Sequence, residues 1–200
     1  MSRLLFIFAQ PILGPVWRIL RVIHLWKLRL KYANRYKITI YTPGNGIHYK
    51  WIFCNESSKD RFLVKTTSDF IEWWHRSVSQ FKKMNNLPID YQNLDFERIA
   101  KDIQYFMSIP ELDEISPIAR VDVPNREIWY RFMVDKKPID LNNSLHLDML
   151  RNVRKTLEEH GLRHGDDSLD NYILYKCASS SIEKIYMIDL ESITRIRDKN

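Results

Sequence analysis

The sequence predicts an α+β fold of two lobes, an antiparallel sheet first and a short, mainly helical lobe after it. Three observations carry that prediction. Three β-prone runs separated by turn residues lie between residues 36 and 66, one long amphipathic helix reads from about 144 to 160, and an Asp- and Asn-rich loop leads into a hairpin near the end. With 200 residues and 44% apolar content, the chain can bury a sizeable core. That length fits one compact domain of two lobes better than two independent domains.

Residues 36–41, 48–54 and 61–66 are rich in β-branched and aromatic side chains, and Thr42-Pro43-Gly44-Asn45-Gly46 is a turn between the first two. Ser68 is suited to the N-cap of a helix reaching about Met84, on which Trp73, Trp74 and Phe81 are expected to pack. A second helical stretch covers 95–107. Residues 115–123 and 128–134 read as an antiparallel pair around Pro124-Asn125-Arg126-Glu127, and Asp135-Lys136-Lys137-Pro138 as a polar crossing. In the next helix Leu145, Met149, Leu150, Val153 and Leu157 recur at helical spacing, and Gly161 suits the left-handed position that ends it. Residues 172–175 and 184–188 are apolar-rich strands joined by a small, polar loop.

His164-Gly165-Asp166-Asp167-Ser168-Leu169-Asp170-Asn171 precedes that hairpin, and Asp189 follows its second strand. Asp166, Asn171 and Asp189 can therefore bring three oxygen-bearing side chains to one metal-nucleotide. Phosphoryl transfer asks a protein to position a nucleophile and neutralise phosphate charge, which takes a carboxylate near the acceptor hydroxyl and hard oxygen ligands for Mg²⁺. Asp166 fits the first role, Asn171 and Asp189 the second. Singly, each is also ordinary turn punctuation, because Asp and Asn bond nearby backbone groups. The ordered set of helix, loop, strand, strand and acid is what favours chemistry. His164 is expected to pack under the loop and bond a backbone carbonyl, and Asp167 and Asp170 to be solvated.

At these residues the chain resembles the kinase-like phosphotransferases with a His-Gly-Asp catalytic loop, a group that includes aminoglycoside, choline, RIO-type and lipopolysaccharide core kinases. Asp189-Leu190-Glu191 is similar to their Asp-Phe/Leu-Glu or Asp-Leu-Ser version rather than to the Asp-Phe-Gly of ordinary protein kinases. In length, order of elements and its basic ending over 193–199, the chain most resembles the lipopolysaccharide core heptose kinase family. That resemblance implies a two-lobed protein kinase-like fold: an N-terminal antiparallel sheet lobe at about 35–134, a hinge at 135–138 and a truncated, mainly helical C-lobe at 139–200. It implies ATP and Mg²⁺ as cofactors, with Asp166 catalytic and Asn171 and Asp189 on the metal. Lys65, closing a β-prone run, becomes the phosphate lysine, paired with Glu72 or, further on, Glu97. Adenine would bond the backbone near Met133, Val134 and Asp135. Gly44 and Gly46 would cover the phosphates, although only two glycines stand there and a plain hairpin turn is the alternative, Asn-Gly being a favoured pair.

Charge is uneven. Residues 1–55 hold nine Lys and Arg and no Asp or Glu, so the net charge of +6 belongs to the N-terminal region. Residues 1–34 are also apolar, but Gln10, Pro11, Pro15, Arg18 and Arg21 interrupt them, and a spanning helix needs roughly 20 mainly apolar residues. Neither a spanning helix nor a cleaved signal peptide is expected. Two readings stand: a segment lying on an anionic membrane surface, or a helix packed on the N-lobe or a partner. Basic and aromatic residues together also suit nucleic acid, but no recognised nucleic-acid module accompanies them. Cys54 and Cys177 fit reduced thiols in a cytosolic protein, and the six His form no ligand cluster.

Few residues follow Asp189, so the substrate-platform helices of a protein kinase are not expected and a glycolipid or small-molecule hydroxyl becomes the acceptor. The expected activity is phosphorylation of a non-protein hydroxyl, a lipopolysaccharide inner-core sugar by resemblance, at the cytoplasmic face of the inner membrane. An atypical RIO-like protein kinase and a membrane-associated pseudokinase scaffold are the alternatives.

Overall fold

The computed structural model describes residues 3–40, 49–67, 73, 77, 80, 83–84, 95–133, 137–166, 168–176 and 183–196, with side chains described from Arg18 onward. The protein is a mixed α+β fold with antiparallel sheets and four helices among these residues. The chain divides into two compact units: residues 1–94 with 126–129, and residues 95–125 with 130–200.

The first unit opens with helix α1 (Arg3–Tyr32), which continues through Pro11 and Pro15. Strands β1 (Tyr36–Ile40), β2 (Tyr49–Asn55) and β3 (Arg61–Thr66) follow, close to the runs legible in the sequence, and pair antiparallel in that order. Register puts Ile38 opposite Phe53 and Trp51 opposite Val64. Because side chains alternate across a strand, these four lie on one face. Leu25 and Leu28 of α1 and Trp129 complete a core with them, flanked by Tyr32, Tyr36, Tyr49 and Phe62. The C-terminal part of α1 thus packs on the sheet, as one of its two sequence readings holds. Among the described residues no helix is long and apolar enough to cross a membrane.

Polar groups inside this aromatic core are satisfied in two places. Glu127, 1% exposed, accepts from Lys31 Nζ at 3.0 Å, Tyr32 Oη at 2.8 Å and Trp129 Nε1 at 2.9 Å. Thr66 Oγ1 accepts from Trp51 Nε1 at 2.8 Å and lies 2.9 Å from His24 Nε2. Burial holds the His24 pKa below its ordinary value, with Glu127 opposing and Lys27 and Lys31 reinforcing the shift.

Residues 73, 77, 80, 83 and 84 are helical, in keeping with the helix expected after Ser68. Trp73, expected to pack, is instead 59% exposed. The residue pattern identifies a helix there, but the pattern alone does not specify which of its apolar residues are buried.

The second unit begins with α2 (Phe96–Met107), whose N-cap Asp95 accepts from the Arg98 backbone N–H. Phe96, Ile99, Ala100, Ile103 and Phe106 are its buried stripe. A short helix α3 (Pro110–Asp113) follows, with Pro at its first turn, where a missing N–H costs nothing. Strands β4 (Ile118–Asp122) and β5 (Glu127–Arg131) are neighbours. The Arg131 N–H donates to the Pro117 carbonyl at 2.7 Å. The expected polar crossing is in part a strand, β6 (Lys137–Pro138), which pairs with Ile173 and Leu174. Proline is tolerated there because β6 is at the sheet edge.

Helix α4 (Ser144–Glu159) is capped by Asn143, buries Leu150, Val153 and Leu157, and ends at Gly161 with φ +64°. Leu145, on the expected apolar face, is 64% exposed, one turn before that face reaches its neighbours. Strand β7 (Leu162–His164) leads into a 3₁₀ turn at Leu169–Asn171 and the antiparallel hairpin β8 (Tyr172–Lys176) and β9 (Glu183–Met187). A second 3₁₀ turn, Leu190–Ser192, sends β10 (Ile193–Arg195) back to pair with β7.

Candidate functional site

The loop after β7 and the bend after β9 are tied together by one imidazole. His164 is buried, and its Nδ1 hydrogen-bonds the Asp166 carbonyl while its Nε2 lies 3.2 Å from the Asp189 carbonyl. Both partners are carbonyl acceptors, so the imidazole bridges the two segments through its ring nitrogens. The pairing of Ile193 with His164 supports the same junction, as does the Gly165 N–H donating to the Ser192 carbonyl at 2.7 Å.

Asn171 adds the third residue. It is 6% exposed, and its Nδ2 donates to the Asp166 carbonyl at 2.8 Å. Its own carbonyl accepts from the Ile188 N–H at 2.8 Å, one residue before Asp189. With the amide nitrogen committed to Asp166, Oδ1 is the side-chain atom left to act as an acceptor or metal ligand. Asp166, Asn171 and Asp189 are therefore gathered by a short chain of hydrogen bonds within the second unit.

The two aspartates differ in how they are held. The Asp166 backbone is pinned by His164 and Asn171, while its exposed carboxylate accepts from the Ser168 N–H at 3.2 Å, the turn bond typical of Asp. Asp189 adopts the left-handed conformation, φ 55° and ψ 43°. That conformation costs an ordinary L-residue roughly 1–2 kcal/mol, and Asp tolerates it better than most. The bend lets the Asp189 carbonyl accept from the Ser192 N–H at 3.1 Å and turns the chain toward β10.

Below this bend Tyr130 Oη donates to Glu191 Oε2 at 2.9 Å. Burial pushes the Tyr130 hydroxyl pKa well above its ordinary value, and the Glu191 carboxylate pushes it further. The phenol therefore stays protonated as the donor that anchors the segment following Asp189.

Among the described residues no group of three or more His, Cys, Asp or Glu is placed to hold a metal ion. Mg²⁺ in phosphotransfer sites usually takes one or two carboxylates and fills its remaining positions with water and substrate phosphate. Asn171 Oδ1 and the Asp189 carboxylate are hard oxygen donors of that kind.

In the first unit Lys65 is 3% exposed near the end of β3. Register places it on the sheet face opposite Val64 and Thr66, and directly across from Lys50 of β2. Like charges directly opposite one another repel across a strand pair, and an anion between them converts that repulsion into attraction. Lys50 was not singled out in the sequence. The turn at Asn55, whose Oδ1 accepts from the Ser57 and Ser58 N–H groups, sets the register that pairs the two lysines and is the signal that identifies it.

Met133 is half-buried after β5. Gly44, Gly46, Glu72, Val134 and Asp135 lie outside the described residues. Glu97 is exposed in the first turn of α2, where a carboxylate complements the helix dipole.

No protein-family model matches this chain. No curated protein matches it either.

Proposed function

We propose that this protein is a Mg²⁺- and ATP-dependent kinase acting on a non-protein hydroxyl, with a lipopolysaccharide inner-core sugar as the acceptor class and the cytoplasmic face of the inner membrane as its place of work. The observation that carries the reading is the joint anchoring of Asp166, Asn171 and Asp189 through His164 and the Asn171 amide. The sugar assignment rests on the resemblance of the His-Gly-Asp loop and the Asp-Leu-Glu triplet to the heptose kinases.

In this mechanism the Asp166 carboxylate accepts a hydrogen bond from the acceptor hydroxyl and takes its proton as the oxygen attacks the γ-phosphorus. The new O–P bond forms as the bond to the β,γ-bridging oxygen breaks, and ADP leaves with that electron pair. Asn171 Oδ1 and the Asp189 carboxylate would hold Mg²⁺. When bound, the metal supplies charge neutralisation for the phosphoryl group. Lys65, with Lys50 opposite it, contributes positive charge for nucleotide phosphates.

The test is incubation with γ-labelled ATP, Mg²⁺ and membrane glycolipid, comparing wild type with Asp166→Asn. Label in lipid-linked sugar, lost in the variant while folding and nucleotide binding persist, supports the reading. Label in protein favours a RIO-like kinase. No label and no metal-dependent nucleotide binding favours a scaffold. Undiminished transfer by Asp166→Asn rejects Asp166 as the base.

A further inference from the structure

Helix α1 carries two apolar faces, and the sheet accounts for only one. Leu25 and Leu28 point into the core of the first unit. Ile19, Val22, Ile23, Trp26 and Leu30 form another stripe and are 59%, 60%, 45%, 64% and 61% exposed. Their three- and four-residue spacing places them on one side of the helix, away from the buried pair. In the sequence the same spacing runs back through Val16, Ile12, Phe8 and Leu5.

The charges bordering the stripe indicate what covers it. At 100° per residue, Arg18 and Arg29 fall along one edge and Lys27 and Lys31 along the other, and no acidic residue occurs before Glu56. Arg18 and Lys27 are both exposed. Arg29 and Lys31 also reach inward, to the Ile38 carbonyl at 3.3 Å and to Glu127 at 3.0 Å, which fixes the helix on the sheet with the other face outward. A protein partner for an apolar helix face has no general need of cations on both margins. A lipid surface does, because the apolar side chains enter the acyl boundary while flanking Lys and Arg meet anionic headgroups.

We infer that the Ile19–Val22–Ile23–Trp26–Leu30 face of α1 docks this protein on an anionic lipid bilayer, with α1 lying in the plane of the surface. The inference deepens the membrane placement in the proposed function, but α1 alone carries it.

The experiment is vesicle flotation of the full chain without nucleotide, using phosphatidylcholine vesicles with and without phosphatidylglycerol. Wild type is expected to partition about tenfold or more in favour of the anionic vesicles, with the preference reduced by high salt. Trp26→Glu with Leu30→Glu is expected to abolish binding to both vesicles. Arg18→Glu with Lys27→Glu is expected to remove the anionic preference. Circular dichroism establishes that the variants are folded; should the glutamate pair unfold, Trp26→Gln with Leu30→Gln serves in its place. Failure of wild type to float, equal binding to neutral and anionic vesicles, or unchanged binding by the apolar-face variant each overturns the inference. So does self-association through this face without vesicle binding. Mg²⁺-ATP binding, measured separately, separates loss of docking from failure of the phosphotransfer reading.

Discussion

Asn171 Nδ2 donates to the Asp166 carbonyl across 2.8 Å, so the amide that would supply a metal ligand also fixes the backbone of the proposed base. In the proposed mechanism one residue would therefore couple proton acceptance to metal placement. The bond orients the amide, leaving Oδ1 for a cation, and it keeps the Asp166 main chain from relaxing when its side chain changes.

Asn171→Ala removes one of the two side-chain partners of the Asp166 carbonyl, the other being His164, and is expected to cost about 1 kcal/mol of stability. The same variant is expected to lose the Mg²⁺-dependent part of nucleotide binding. Urea unfolding and a thermal-shift titration of ATP with and without Mg²⁺ check both. A stable variant with normal metal dependence removes Asn171 from the site.

Lys65→Met keeps most of the side-chain volume and deletes the charge. ATP affinity is expected to fall about tenfold, or about 1.4 kcal/mol, with a smaller loss for Lys50→Met. Calorimetric titration measures the binding; equal affinity in wild type and both variants excludes this lysine pair as a phosphate site.

Glu127→Ala leaves three donors, on Lys31, Tyr32 and Trp129, without their common acceptor. The expected loss is about 3 kcal/mol, whereas Glu127→Gln retains one acceptor oxygen and is expected to lose less than half as much. Denaturant unfolding of the two variants decides this. A loss below about 1 kcal/mol in the alanine variant shows that solvent replaces the carboxylate.

His24 links stability to pH. Burial lowers its folded-state pKa below the ordinary 6.5, so in the window between the two values the unfolded chain binds the proton and the folded chain does not. Stability is therefore expected to be full above that window, to fall as pH drops through about 6.5, and to level off once the folded state also takes the proton. His24→Gln is expected to flatten this portion of the curve. Melting temperatures across mildly acidic pH provide the comparison, and parallel curves for variant and wild type refute the assignment.

Much of the local structure was legible in the residues. The strand runs read at 36–41, 48–54 and 61–66, the helix read at about 144–160, the left-handed Gly161 and the hairpin read at 172–175 and 184–188 each match the structure to within a residue, and all follow from short-range preferences: β-branching, helical spacing, turn chemistry and a glycine that accepts positive φ. His164 bonded to backbone carbonyls was likewise expected. Two positions on apolar patterns, Trp73 and Leu145, are exposed instead, because periodicity marks a face without saying where along the helix a neighbour begins or ends.

The sequence by itself determined the longer helices and strands, the order of Asp166, Asn171 and Asp189 along the chain, and the concentration of positive charge before residue 56. Only the tertiary structure decided that β10 returns to β7, that one imidazole holds the two aspartate segments, that Lys50 faces Lys65, and that α1 turns one apolar face inward and another outward. Local propensity depends on neighbours a few residues apart. These four relationships join residues whose proximity comes from strand register and packing between distant parts of the chain, which no short-range preference encodes.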